Sequence, residues 1–91
     1  MEMATYKAPE KVDAKNAKAV EKELLELIKN GDKNIVFDMS GMRYISSAGL
    51  RVLLNIQKGL LPDGNIYVSN VPAAVMEILD ITGFSSMITS I

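Results

Sequence analysis

The strongest constraint on this chain lies between Asn34 and Leu54, NIVFDMSGMRYISSAGLRVLL. An apolar run of Ile35, Val36 and Phe37, closed by Asp38 and Met39, is too short for a helix and too continuous for a half-exposed strand. It predicts a buried strand, parallel to its neighbours. Beyond Gly41 the chain passes through Met42, Arg43, Tyr44 and Ile45 and meets Ser46 and Ser47 directly before Ala48, Gly49, Leu50, Leu53 and Leu54. The helical spacing of those leucines puts both serines at a helix N-terminus. There the first-turn N–H groups lack partners and the macrodipole is positive. A serine at this place caps the helix, and a phosphoserine is electrostatically favoured.

The flanking segments extend the pattern. Residues Met1 to Val12 hold strand-compatible residues around Tyr6, with Pro9 confining any strand to an edge or an end. Asp13 stands as the N-cap of a first helix whose inward face is Ala17, Val20, Leu24, Leu27 and Ile28. Lys15, Lys18, Lys22, Glu26 and Lys29 occupy the other face, and Asn30 with Gly31 stops the helix. A second helix runs from about Ala48 to Leu60, with Leu50, Leu53, Leu54 and Leu61 as its inward set. Leu61 to Gly64 form a turn, Ile66 to Val68 a short strand, and Asn70 to Pro72 open a third helix with Val75, Met76 and Leu79 inward. Gly83 ends that helix, and Phe84 to Ile91 either add a strand or lie over the core. Met39, Met42, Met76 and Met87 read as core filling. Strands alternating with helices predict one small α/β domain over residues 1–91.

Composition narrows the function classes. The charges nearly cancel, 10 basic against 11 acidic, which leaves no electrostatic footprint for nucleic acid or an anionic membrane. No cysteine or histidine is present, so a disulfide framework and the usual zinc or copper ligands are absent, and the chain suits a reducing cytoplasm. No apolar stretch approaches the roughly 18 residues of a membrane span, and the first residues lack a signal-peptide core. A serine nucleophile has no histidine to serve as its base. Neither a Walker-type loop nor a GxGxxG occurs, so no cofactor or metal is expected and no catalytic residue is assigned.

The candidate residues carry alternative readings. Asp38, at the end of the apolar run, is either a functional carboxylate at a strand terminus or the acceptor that orders its own loop. Ser40 and Gly41 read as turn chemistry. Arg43 and Arg51 either meet a phosphate or an acidic partner, or stand solvated. Met42, Tyr44 and Ile45 either fold back as core or form an exposed patch beside the serines.

Asp38, Ser40, Gly41, Ser46, Ser47, Ala48, Gly49 and Leu50 together resemble the signature of STAS domains, and among these the bacterial anti-sigma factor antagonists. Residues 12–24, VDAKNAKAVEKEL, are similar to the first helix of the same family. The resemblance implies a small mixed β-sheet covered by helices on one face. It further implies that Ser46 caps the helix while Ser47 accepts a phosphate. The implied partner-binding residues are Asp38, Ser40, Gly41, Met42, Tyr44, Ser46, Ser47, Ala48, Gly49 and Arg51. The implied partners are an anti-sigma factor that is also a serine kinase, and a serine phosphatase that reverses the modification. At the place of Ser46 the best-known antagonists carry an acidic residue, and the family usually continues into a further helix. Both departures keep a second role open, that of a constitutive STAS subunit in a phospholipid-transport ATPase complex or a sensory scaffold, where Ser47 is a contact residue and never modified.

Overall fold

A computed structural model describes residues 3–91; Met1 and Glu2 of the expected N-terminal segment lie outside the described residues. Four strands form the main sheet in the order β1 (Ala4–Lys7), β3 (Asn34–Asp38), β5 (Asn65–Ser69) and β6 (Thr89–Ser90). A separate two-stranded ladder joins β2 (Lys11–Val12) to β4 (Tyr44–Ile45). Every described pairing is parallel, so the sheet expected to be mixed is not. The reason lies in the connections. Each neighbouring pair in the main sheet is separated by a helix, α1 (Ala17–Lys29), α2 (Ser47–Leu60) or α3 (Ala73–Ile81), which returns the chain to the same end of the sheet.

Strand alternation assigns the layers. Ile35, Phe37, Ile66 and Val68 are buried on one face, and Asn34, Val36, Tyr67 and Ser69 are half-buried on the other. Val36 therefore departs from the expectation of a strand buried throughout. Its face carries the register row Thr5, Val36, Tyr67 and Thr89, in which Val36 and Tyr67 are half-buried and the two threonines exposed. Helix cover on one face of the sheet agrees with the sequence reading. At the edge, Tyr6 stacks on Phe37 with ring centroids 5.5 Å apart and donates its hydroxyl to a Glu23 Oε1 2.6 Å away. Burial, with the acceptor carboxylate of Glu23 second, pushes that phenol far above its usual range.

Helix boundaries follow local hydrogen bonding more closely than apolar spacing. Asp13 is not the N-cap of α1. Its Oδ1 accepts from Lys15 N and its carbonyl from Ala17 N, both at 2.9 Å, so it closes a turn ahead of the helix. Asn16 is the N-cap by position, but its amide donates back to the Lys11 carbonyl at 2.8 Å. Ala17, Val20 and Leu24 are buried as expected, with Leu27 and Ile28 half-buried. In α2 the inward set is Leu50, Val52, Leu53, Ile56 and Leu60. Leu61, expected inward, is 52% exposed because the backbone has already turned extended there. Val75 and Leu79 anchor α3, and Gly83, at φ +77°, ends it. The tail does both things that were open to it: Phe84 is buried, and Thr89–Ser90 pair with β5. Met39 and Met42 fill the core, Met76 is half-buried, and Met87 stands exposed, contrary to expectation.

Gly64 shows how tightly the turn after α2 is drawn in. A Cβ there would run into the backbone carbonyl of Lys33, which itself accepts from Asn65 N at 3.1 Å. Gly59, inside α2, has nothing within 4 Å of such a Cβ. Gly64→Ala is expected to lose at least about 2 kcal/mol of unfolding free energy in denaturant titration, because the backbone itself must move. Gly59→Ala is expected to gain about 0.5–1 kcal/mol from helix propensity in the same measurement.

Candidate functional site

The loop from Asp38 to Ser46 leaves the carboxyl end of β3 and is fixed at both of its ends. At the first end, Asp38 Oδ1 accepts from Ser40 N at 2.9 Å and from Asn70 Nδ2 at 3.2 Å. The Ser40 backbone N–H comes first, then Asn70, among the contacts that hold the Asp38 carboxyl below its usual range. Lys7 Nζ donates to Ser40 Oγ at 3.2 Å. This contact lies at the surface and ties the loop to β1. Asn70 reaches Asp38 from a left-handed backbone position, φ +52°, which asparagine tolerates better than most residues.

The second end is a backbone clamp. Arg43 N donates to the Glu10 carbonyl at 2.6 Å, and Ser46 N donates to Val12 O at 2.9 Å. Between them Tyr44 and Ile45 lie in parallel register with Lys11 and Val12. Ile45 and Val12, each 1% exposed, carry the clamp into the core. The Arg43–Glu10 ion pair, 3.3 Å long, joins two exposed side chains and adds little. Ser46 then caps α2, its carbonyl accepting from Leu50 N at 2.9 Å and its Oγ from Gly49 N at 3.4 Å. Ser47 is the first residue of the helix, is exposed, and makes no side-chain hydrogen bond among the described residues.

Gly49 explains how close the helix start can come. A Cβ at this position would stand 2.7 Å from Ile45 Cγ1, 2.9 Å from Val12 Cγ1 and 3.1 Å from the Val12 carbonyl oxygen. Only hydrogen at this position lets the first turn of α2 rest directly on β2 and β4.

The structure distributes the sequence-derived residues over three settings. Asp38, Ser40 and Gly41 form the turn at the sheet end, and Ser46, Ser47, Ala48, Gly49 and Arg51 occupy the first turns of α2. Met42, included among the partner-binding residues, is 2% exposed and points into the core, so it offers no surface. Of the loop trio only Tyr44, 48% exposed, faces solvent. Arg43 pairs with Glu10 and not with either serine. Sequence reasoning missed Lys7, Glu10, Val12 and Asn70. Two-residue strands leave no periodicity, and Asn70 was absorbed into a helix start. No helix among the described residues is long and apolar enough to cross a membrane.

Gly49→Ala is expected to cost about 1–3 kcal/mol in thermal or denaturant unfolding and to perturb the amide resonances of Val12, Ile45 and Ser47 together. An effect confined to Gly49 itself would contradict the close approach.

The sequence profile of the STAS domain matches residues 2–91. A Bordetella bronchiseptica protein, BtrV, named as an anti-sigma factor antagonist, is 36% identical over 77 residues, which are 84% of this chain. The match spans 66% of that relative's length, just under two thirds. An anti-sigma factor antagonist from Mycobacterium paratuberculosis superposes with a TM-score of 0.86 at 18% identity, covering 97% of this chain and 75% of the other. The anti-sigma factor antagonist SpoIIAA, in its unphosphorylated form, gives 0.81 at 14% identity over 99% of this chain and 80% of its own. At such identities the two structures show the fold alone, while the profile match covers nearly every residue. With Ser46, Ser47 and Gly49 at a clamped helix start in a parallel sheet-and-helix domain, the chain belongs to the STAS domain family.

Proposed function

We propose that this protein is an anti-sigma factor antagonist whose binding is switched by phosphorylation of Ser47. In the unmodified state it binds an anti-sigma factor and so releases a sigma factor to RNA polymerase. The anti-sigma factor doubles as the serine kinase, and a serine phosphatase restores the binding form, all in the cytoplasm. The domain acts by surface recognition and not by catalysis.

The observation that supports this reading most is the state of Ser47. Its neighbour Ser46 already caps the helix, which leaves the Ser47 hydroxyl exposed, without a bond among the described residues, on a backbone fixed by the Ser46–Val12 contact. A phosphate there adds about −1.5 to −2 charges at the positive end of α2, whose first turn contains no acidic residue. The domain tolerates that charge, and the cost falls on the interface, where burying or opposing it is unfavourable. The names of BtrV and of the two superposed structures agree with the role.

The test uses the anti-sigma factor that co-purifies with the chain, produced separately and titrated by calorimetry. Ser47→Ala is expected to bind within about threefold of wild type, and Ser47→Asp at least about tenfold more weakly, a loss of about 1.4 kcal/mol. The melting temperature of Ser47→Asp is expected not to fall, since a carboxylate in the first helical turn is favourable. Equal binding by Ser47→Asp and wild type would favour the constitutive-subunit role instead.

A further inference from the structure

Beside Ser47 the N-terminal halves of α1 and α2 enclose an open groove of about 220 Å³, lined by Ala14, Ala17, Lys18, Glu21, Ala48, Arg51, Val52 and Asn55. Alanines from both helices make its floor small, and polar side chains make its rim. Residues near the start of each helix line the same groove, so the positive ends of the two helices lie together. Neither helix has an acidic residue in its first turn to offset that field. Exposed Lys18 and Arg51 add two full charges, against Glu21, which the Asn55 amide engages at 3.3 Å. Asp13, just before α1, is turned onto Lys15 N.

Accepting the Ser47 switch proposed above, we infer that this groove receives an acidic segment of the anti-sigma factor, with Lys18 and Arg51 as its charged contacts. The shape admits small or extended side chains between the helices, and the field selects carboxylates. The same geometry explains why modification of Ser47 would act on this contact. Ala48, the next residue, lines the groove, and Arg51 stands one helical turn from Ser47, a side-chain spacing of about 5–6 Å. That is inside the Debye length of about 8 Å at physiological salt. A phosphate of about −1.5 to −2 charges on Ser47 offsets Arg51 and opposes the carboxylates of an acidic segment entering the groove.

The experiment measures the affinity of the purified anti-sigma factor for full-length Lys18→Glu and Arg51→Glu at several salt concentrations. Lys58→Glu serves as a control; it too is exposed, lies in the last turn of α2 and is absent from the groove. Each groove variant is expected to bind about tenfold more weakly, with a shallower salt dependence, while Lys58→Glu stays within about twofold of wild type. All three sites are exposed, and unchanged melting curves establish that the loss is not unfolding. Wild-type affinity in both groove variants, with Ser47→Asp still weakened, overturns the groove assignment and leaves the switch standing. If Ser47→Asp alone binds as wild type while the groove variants fail, the groove stands and the switch falls.

Discussion

The carbonyls of Glu10 and Val12 hold the loop ahead of α2 by backbone hydrogen bonds, and the rest of the surface depends on the short parallel pairing of Lys11 and Val12 with Tyr44 and Ile45. Without it, the residues between Met42 and Ser46 would be a free connection between a strand and a helix. With it, Ser46 N is fixed on the Val12 carbonyl, its hydroxyl caps Gly49, and Ser47 is left exposed on the first turn. Gly49 makes the pairing close enough to matter, because a side chain there would collide with Val12 and Ile45. The opposite end of the loop is fixed independently through Asp38, Ser40 and Asn70.

This rigidity decides what a charge on Ser47 can do. A site that refolds on modification needs two packings of similar free energy. Here the buried pair Val12 and Ile45 sits directly beneath the helix start, and each is 1% exposed. A phosphate on the outside of such a turn meets a favourable helix field and no competing carboxylate in that turn. Its consequence is therefore outward, on whatever approaches α2 and the groove shared with α1. Small side chains at Ala14, Ala17 and Ala48 line that groove, and Lys18 and Arg51 stand beside them.

The sequence made the alternation of strands and helices legible because apolar spacing is local. Leu50 and Leu53 mark α2, Val20 and Leu24 mark α1, and Gly31 and Gly83, both at positive φ, mark the stops of α1 and α3. The two serines at the helix start were legible for the same reason. What stayed hidden arises from pairing between distant residues. The β2–β4 ladder spans more than thirty positions with two residues per strand. The parallel setting of β3 was legible in its apolar run, whereas the all-parallel order of the sheet is a property of the connections. Met42 reads as core filling with the other methionines and as part of the loop patch implied by the resemblance, and its burial decides for the core. That Lys18 and Arg51 line one groove from two helices could not be read from either helix alone.

The most direct test of a rigid, outward-acting switch is a two-dimensional amide NMR spectrum of the chain with phosphoserine placed at position 47, compared with the unmodified chain. Shifts are expected to be confined to the first two turns of α2, the facing start of α1 and the β2–β4 ladder, with β3 and β5 unmoved. Large shifts or line broadening across the main sheet would contradict a rigid switch, showing that the phosphate acts by repacking the domain.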